Sequence, residues 1–263
     1  MSRFTLAIND IKRATLQYQL WWHLGEVEIK QRYRRSVLGP WWITISMMIF
    51  ISAMGIVFSR LFHQEIKQYI PYFTAGFLFW TFLSTSITEA SEIFRSNGGF
   101  IKQINLPHSL YVYKHLTRQI ICLLHNSVVY LIACVAFQLN PGPLLLMIIP
   151  GFILFLINIY WISFLVAMIC TRYRDMVPII NSCVQIAFFI TPISWTSNLL
   201  GQTSLILKLN PLVYLLDIVR SPFLGTMPAT ISWIVTMALA LTGCLCTFLL
   251  FSRTRSRIAF WVN

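Results

Sequence analysis

Charged side chains are scarce in this sequence. Only 11% of the 263 residues are Asp, Glu, Lys or Arg, whereas a soluble domain carries about 25%. Three runs, 37–59, 69–88 and 119–171, contain none of these residues. A soluble core does not need such runs, but a helix that crosses about 30 Å of hydrocarbon needs about 20 apolar residues. The shortage of charge excludes an ordinary soluble protein and indicates a membrane protein.

Acidic residues are the rarer charged type, with 8 Asp and Glu against 20 Lys and Arg, so the formal net charge is +12. An excess of this size can indicate a nucleic-acid partner. Here the basic residues form clusters between the apolar runs, where the positive-inside rule places them, and no separate basic domain remains. The charge pattern therefore argues against nucleic acid and predicts that both termini face the cytoplasm.

Signatures of catalysis are also missing. The sequence contains no G-x-x-x-x-G-K-[ST] loop for nucleotide phosphates, and no H-E-x-x-H or G-x-S-x-G motif. The six cysteines lie inside apolar runs without the paired spacing of a zinc site. His125 is the only deep ionisable group, and it is interpreted as a hydrogen-bond donor between helices. We therefore expect neither an enzyme nor a resident cofactor.

The apolar runs predict an all-α polytopic membrane protein. Because lipid cannot satisfy backbone polar groups, each span must be a helix. A cytoplasmic N-terminus, residues 1–36, precedes a transmembrane domain, residues 37–263. Six spans are predicted in that domain, at 37–61, 69–90, 116–139, 144–170, 177–195 and 229–251.

The N-terminal segment predicts an amphipathic helix. Apolar residues recur at helical spacing from Leu16 to Val27, and Glu26–Lys30 and Glu28–Arg32 are favourable i,i+4 pairs. Such a helix fits the inner headgroup layer of a membrane, although a soluble cytoplasmic helix is the alternative. The candidate interfacial anchors are Trp21, Trp22, Arg32, Arg34 and Arg35.

Two connections are long enough to have structure of their own. In the loop 91–107, Asn97-Gly98-Gly99 breaks one helix, and a short apolar helix follows before Pro107. The outer segment 196–228 contains apolar pieces about half a membrane long, which predict re-entrant or interfacial helices. Asp217 and Arg220 lie one turn apart in it and could pair, although a surface helix pair with both charges solvated is the alternative.

Several spans carry stripes of small, polar and aromatic residues. Such faces are typical of tight helix packing, but they also suit a wet conduit for sugar rings, and the sequence leaves both interpretations open. The candidate channel residues are Trp42, Ser52, Ser59, Tyr69, Phe73, Trp80, Asn181, Gln185 and Phe189.

Four stretches together resemble the membrane subunit of ABC type-2 exporters for O-antigen, capsule and related polysaccharides. The resemblance covers nearly the whole chain, and the four stretches occur in the order and on the sides that this family shows. They are QRYRRSVLGPWW at 31–42, FIKQINLP at 100–107, TRYRDM at 171–176 and NPLVY at 210–214.

The resemblance implies a homodimer in the bacterial inner membrane, with its channel formed mainly by spans one and five. Two cytoplasmic P-loop ATPase subunits would hold ATP and magnesium, and the substrate would be a lipid-linked polysaccharide. It implies a periplasmic gate at Tyr214, Asp217 and Arg220. The implied ATPase-coupling residues are Phe94, Arg95, Phe100, Ile101, Lys102, Ile104 and Leu106.

Three alternatives stay open. An ABC exporter for a drug or small lipid would have the same architecture. A lipid-sugar transferase should show clustered catalytic charges at one membrane face, and a secondary carrier should show inverted repeats or buried ionisable groups. Neither signal is evident in this sequence.

Overall fold

The computed structural model describes residues 2–196 and 205–262. Within them the chain forms helices and turns and no strand, which confirms the all-α prediction. In chain order the helices are α1 (Arg3–Leu16), α2 (Tyr18–Arg32), α3 (Trp41–Leu61), α4 (Ile66–Ala90), α5 (Ile93–Ser96), α6 (Gly98–Gln103), α7 (His108–Phe137), a 3-10 helix (Gly142–Met147), α8 (Ile148–Arg172), α9 (Met176–Ile190), α10 (Leu205–Leu209), α11 (Pro211–Phe223) and α12 (Thr230–Trp261).

Five helical segments of the described chain are long and apolar enough to cross a membrane. They are α3, α4, α7, α12 and the continuous segment Gly142–Arg172, and they correspond to predicted spans one, two, three, six and four. Gly39 has a φ of +56°, a left-handed conformation that favours glycine, and Pro40 precedes the first turn of α3. We name the two ends of the bundle after the short helices there, the α6 end and the α10 end.

The predicted fifth span is shorter in the structure than in the prediction. Helix α9 has 15 residues, about 22 Å at 1.5 Å per residue, and does not reach the 30 Å of a bilayer core. It ends at Ile190 because Pro192 forces the preceding Thr191 into extended backbone, with φ −89° and ψ 135°. A sixth span is therefore not confirmed.

Extended backbone takes the place of the missing turns. Thr191, Ile193 and Ser194 are buried there. The backbone carbonyls of this segment therefore need hydrogen-bond donors from elsewhere in the protein. Tyr69 donates its hydroxyl hydrogen to the Ser194 carbonyl. Tyr72 donates to the carbonyl of Pro192, at 3.0 Å. Side chains of α4 thus replace the hydrogen bonds that a longer helix would have made.

Helix α4 lies at the centre of the bundle. Its aromatic side chains, Phe73, Phe79 and Phe82 among them, are 0–3% exposed and pack against α3, α8 and α11. A second apolar cluster lies at the α6 end, where Phe94, Phe164 and Phe251 are almost fully buried. The apolar cluster around α4 holds the spans together. The cluster at the α6 end attaches α5 to them.

Helices α8 and α12 pack closely at Gly243. A Cβ atom at this position would lie 2.1 Å from the indole ring of Trp161. The ring cannot yield without disturbing α8, because its Nε1 donates to Asn158 Oδ1 at 3.0 Å. Only glycine therefore permits this approach.

We expect Gly243→Ala to destabilise the protein by about 1–3 kcal/mol, the usual effect of overpacking a tight contact. Gly99→Ala is the control, because no heavy atom lies within 4 Å of the added Cβ. Thermal unfolding of both variants in detergent measures the difference. Equal midpoints for the two variants would contradict the tight α8–α12 contact.

The N-terminal segment forms two helices rather than one, with a break at Gln17. The predicted Glu26–Lys30 pair is present, at 2.5 Å. The predicted Glu28–Arg32 pair is wrong: Glu28 binds Lys114 and Arg118 on α7, and Arg32 binds Glu89 on α4. Tertiary partners replace the local one because α2 packs directly against α7.

The outer segment 196–228 contains α10 and α11, and its residues 197–204 lie outside the described residues. Helix α11 begins as the sequence Asn210-Pro211 favours: Asn210 Oδ1 accepts from the Leu212 amide at 3.0 Å, and proline occupies the first helical position. The α11 side chains Leu215, Leu216 and Ile218 are 0–2% exposed. The helix is therefore packed into the bundle.

Candidate substrate groove and coupling surface

A cavity of about 570 Å³ lies among α3, α4 and α7. Its walls are aromatic, with Trp42 and Phe50 from α3 and Phe77 from α4. Neutral polar side chains also line it, among them Ser46, Thr81, Thr85, Gln119 and Asn126. Arg32 and Glu89 line it as well, and both lie toward the α6 end.

A second cavity of about 770 Å³ lies between α4 and α9. It shares Phe50, Phe77 and Thr85 with the first cavity, so the two adjoin. We call them together the α3–α9 groove. Its second half adds hydroxyl groups from Ser84 and Thr88 and amide groups from α9.

Five of the nine candidate channel residues line this groove: Trp42, Trp80, Asn181, Gln185 and Phe189. The other four do not. Ser52 lines a separate apolar cavity of about 270 Å³. Ser59, Tyr69 and Phe73 are 1%, 1% and 0% exposed, so in this structure they serve packing instead of a passage.

Helix α9 has an unusual environment in this chain. None of its residues is buried, and among the described helices it packs mainly against α4 and, weakly, α8. Asn181 and Gln185, one turn apart, are exposed among apolar neighbours. Their amides thus form a polar stripe that the single chain leaves uncovered.

The predicted coupling loop has an exposed and a buried side. Phe100 and Ile104 are 59% and 47% exposed, and Lys102 is exposed between them. Phe94 and Ile101 are 0% and 9% exposed and pack in the apolar cluster of the α6 end. Arg95 pairs with Glu92 at 2.8 Å, and Leu106 packs partly buried against the same cluster. The loop thus presents a small apolar surface on a fixed base.

Comparison with known proteins places this architecture in a family. The family model for ABC-2 type transporters matches residues 19–224. The chain belongs to the ABC-2 type transporter family. That match includes α2, the whole groove and the coupling loop, and it confirms the family resemblance found in the sequence.

Two individual proteins can be named as similar to this chain. The chain is 22% identical over 240 residues, 88% of its own length and 90% of the relative's, to an O-antigen export system permease protein RfbA of Klebsiella pneumoniae. It is 22% identical over 209 residues, 76% of its own length and 78% of the relative's, to the protein of the same name from Myxococcus xanthus. It is thus similar along most of its length to two proteins named as O-antigen export permeases.

In this ABC-2 permease an ion cluster closes the α6 end of the groove. The Arg118 side chain, 10% exposed, lies between Glu28 and Glu89 and binds both. Lys114 adds a second contact to Glu28 at 2.9 Å. Burial raises the pKa of Glu28, but Arg118 and Lys114 together outweigh it, and the net pKa is below the ordinary value. Sequence reasoning missed this cluster because its members are far apart in the chain.

A second missed residue is Asp10, whose side chain is 0% exposed. Its two oxygens accept from the backbone amides of His108 and Ser109, at 3.2 and 3.1 Å. They also accept from the Ser109 hydroxyl at 2.7 Å and from Arg255 Nε at 2.8 Å. Asp10 therefore caps the N-terminus of α7 and joins it to α1 and α12, just after the coupling loop.

The expected Asp217–Arg220 pair is wrong. Asp217 accepts from the hydroxyls of Ser221 and Ser232, at 2.5 and 2.6 Å. Arg220 donates to the Pro192 carbonyl at 2.6 Å and lies 4.7 Å above the ring of Tyr72. Each charge thus meets groups from another segment instead of its neighbour in α11. Tyr214, the third predicted gate residue, donates to the Lys208 carbonyl at 2.9 Å.

The predicted interfacial anchors differ from one another. Trp21 packs inward, because its Nε1 donates to the Ala14 carbonyl at 3.1 Å and its ring stacks on Tyr113. Trp22 is 46% exposed. The three arginines Arg32, Arg34 and Arg35 are exposed and line one small recess with Gln31.

Proposed function

We propose that two copies of this chain form the channel of an ATP-driven exporter, which moves a lipid-linked polysaccharide of the O-antigen or capsule class across the inner membrane. The α3–α9 groove is half of the passage, and the second copy supplies the other half. Two P-loop ATPase subunits, which hold ATP and magnesium, drive it from the cytoplasm, where both termini of the chain lie.

The observation that carries this proposal is the uncovered polar stripe on α9. An amide exposed to hydrocarbon has no hydrogen-bond partner there and costs free energy. Asn181 and Gln185 are exposed in the single chain. A facing copy that encloses a wet passage would remove both amides from lipid. Helix α9 and the extended residues after it would then cross the membrane together, as the missing sixth span.

The chemistry of the groove suits a sugar polymer. A sugar ring has an apolar C–H face, which packs on aromatic rings, and hydroxyl edges, which bind amides and hydroxyls. Aromatic walls at Trp42, Phe50 and Trp80 alternate with neutral polar groups along the groove. Neutral groups hold each ring weakly, so a chain can slide. The relatives named as O-antigen export permeases support the same substrate class.

Coupling to ATP hydrolysis is assigned to the apolar surface at the α6 end. Phe100 and Ile104 are exposed on a short helix, and Ile101 anchors that helix from beneath. An exposed aromatic residue on a rigid base is typical of a protein contact. We assign this contact to the ATPase subunit, because ABC-2 permeases work with one.

The rival within the family is an exporter for a drug or small lipid. The aromatic walls of the groove would also accept such a molecule. The two substrates differ in what they require of the α9 amides. A sugar polymer needs hydrogen-bonding groups along the whole passage, and a lipophilic drug does not.

We therefore expect the double variant Asn181→Leu/Gln185→Leu to lower polysaccharide export by about tenfold or more, since each lost hydrogen bond contributes about 1 kcal/mol. Export is measured as glycan that becomes accessible to a glycosidase outside proteoliposomes, which contain the permease–ATPase complex and lipid-linked glycan from producing cells. Cys183→Leu is the control on the same helix, because Cys183 is exposed but does not line the groove. Unchanged export in the double variant would contradict the sugar passage and favour the rival substrate.

A further inference from the structure

The side-chain oxygen of Asn126 is buried and has no hydrogen-bond partner in the described part of the chain. Asn126 lies on α7, is 6% exposed and lines the first cavity of the groove. Such an oxygen costs free energy unless something outside the protein fold satisfies it.

The rest of the bundle shows that this chain satisfies such a residue where packing is its only role. Asn158 on α8 is 1% exposed. Its amide nitrogen donates to the carbonyls of Leu154 and Thr236, at 2.9 and 3.2 Å. Its oxygen accepts from Trp161 Nε1 at 3.0 Å. Asn158 is thus completely paired, and Asn126 is not.

Thr81 repeats the pattern in the same cavity. Three other threonines of α4, Thr74, Thr85 and Thr88, each donate to the carbonyl four residues earlier, at 2.6–2.9 Å. The Thr81 hydroxyl is buried and makes no hydrogen bond within the described residues. Its side chain lines the cavity with Asn126.

Two other polar side chains of this cavity, Thr85 and Gln119, are already engaged. The Thr85 hydroxyl shares its one hydrogen between the Thr81 carbonyl and Gln119 Oε1, at 2.6 and 3.1 Å. Gln119 Nε2 donates to Glu89 Oε2 at 2.6 Å. Among the described residues the cavity therefore contains one occupied polar row, which ends in the ion cluster, and two buried groups without a partner, the Asn126 oxygen and the Thr81 hydroxyl. The unoccupied pair faces walls of Trp42 and Phe50.

We propose that Asn126 and Thr81 form a binding subsite for one neutral, hydroxyl-bearing sugar ring of the transported polymer. This inference rests on the proposed function and names where in the groove the ring is held. The amide oxygen accepts from one ring hydroxyl, and the threonine hydroxyl binds a second. The aromatic walls cover the C–H face of the ring. Neither group carries a charge, so the subsite selects sugar over the phosphate of the lipid carrier.

Replacement of the amide separates this role from packing. We expect Asn126→Leu to unfold at the wild-type temperature or above, because it removes an unpaired polar group, and to export glycan about tenfold more slowly. Asn158→Leu is the matched control and should unfold at a lower temperature, since it leaves Trp161 Nε1 without an acceptor. The measurements are thermal unfolding in detergent and the glycosidase-access assay with the permease–ATPase complex.

Thr81 gives an independent check. Thr81→Ser keeps the hydroxyl and should retain export, whereas Thr81→Val removes it and should lower export to the level of Asn126→Leu. Wild-type export in both Asn126→Leu and Thr81→Val would overturn the subsite while the proposed function stood. A lowered unfolding temperature for Asn126→Leu, equal to that of Asn158→Leu, would also overturn it. Failure of the wild-type complex to move glycan would instead overturn the proposed function.

Discussion

Phe100→Asp is expected to abolish ATP-driven transport and leave the membrane domain folded. The Phe100 side chain is 59% exposed, and the neighbouring Gly99 has open space around it. If α6 docks on the ATPase as proposed, a carboxylate there would be buried in that contact without a partner, which costs several kcal/mol. The variant should insert normally, unfold at the wild-type temperature and fail to retain the ATPase during purification.

Two further variants make this test specific. Tyr18→Asp changes an aromatic residue that is also 59% exposed, but on α2, and should retain the ATPase. Ile101→Asp changes a residue that is 9% exposed and should instead lower the unfolding temperature, since it places a charge in the apolar cluster of the α6 end. If Phe100→Asp purified with the ATPase and transported glycan at the wild-type rate, the coupling role of α6 would be wrong.

The sequence predicted the features that depend on neighbouring residues. Apolar runs located five helices that can span a membrane, and Asn97-Gly98 located the break between α5 and α6. Each of these depends on hydropathy or backbone preference within about one helical turn, so a linear pattern is sufficient.

The length of α9 could not be predicted from hydropathy alone. Residues 177–195 are apolar enough for a complete span, yet the helix ends at Ile190. Extended backbone is stable there because Tyr69, Tyr72 and Arg220 supply donors from other helices. These partners also explain why a stripe that includes Tyr69 is buried instead of facing sugar. A pattern within one segment does not contain its distant partners.

The ionic contacts were missed for the same reason. Local spacing paired Glu28 with Arg32 and Asp217 with Arg220, but in the structure each of the four finds a partner elsewhere. In a membrane bundle a charge near the helix ends gains most from a partner that also removes it from lipid. Such partners lie on adjacent helices, at separations that sequence alone does not reveal.

The ion pair between Asp10 and Arg255 is the basis of the second prediction with a large effect on stability. Asp10 and Arg255 are 245 residues apart in the chain, and we expect Asp10→Ala to destabilise the protein by about 3–5 kcal/mol, the usual cost of breaking a buried ion pair. The variant leaves Arg255 unpaired and removes the acceptor for the first amides of α7. Thermal or chemical unfolding in detergent measures the loss. Asp175→Ala, at an exposed carboxylate, is the control and should change stability by less than about 0.5 kcal/mol.

A second substitution separates the capping role of Asp10 from its role as a connection. Pro107 occupies the cap position of α7 in extended backbone, with φ −58° and ψ 135°, and has no side-chain acceptor. Pro107→Asp supplies a local acceptor, so in the Asp10→Ala background it should restore about 1 kcal/mol, the contribution of one cap. The loss of stability that is not restored measures how much Asp10 contributes by connecting α1, α7 and α12. Complete recovery by Pro107→Asp would show that capping alone explains Asp10, and that α12 does not hold the base of the coupling loop through Arg255.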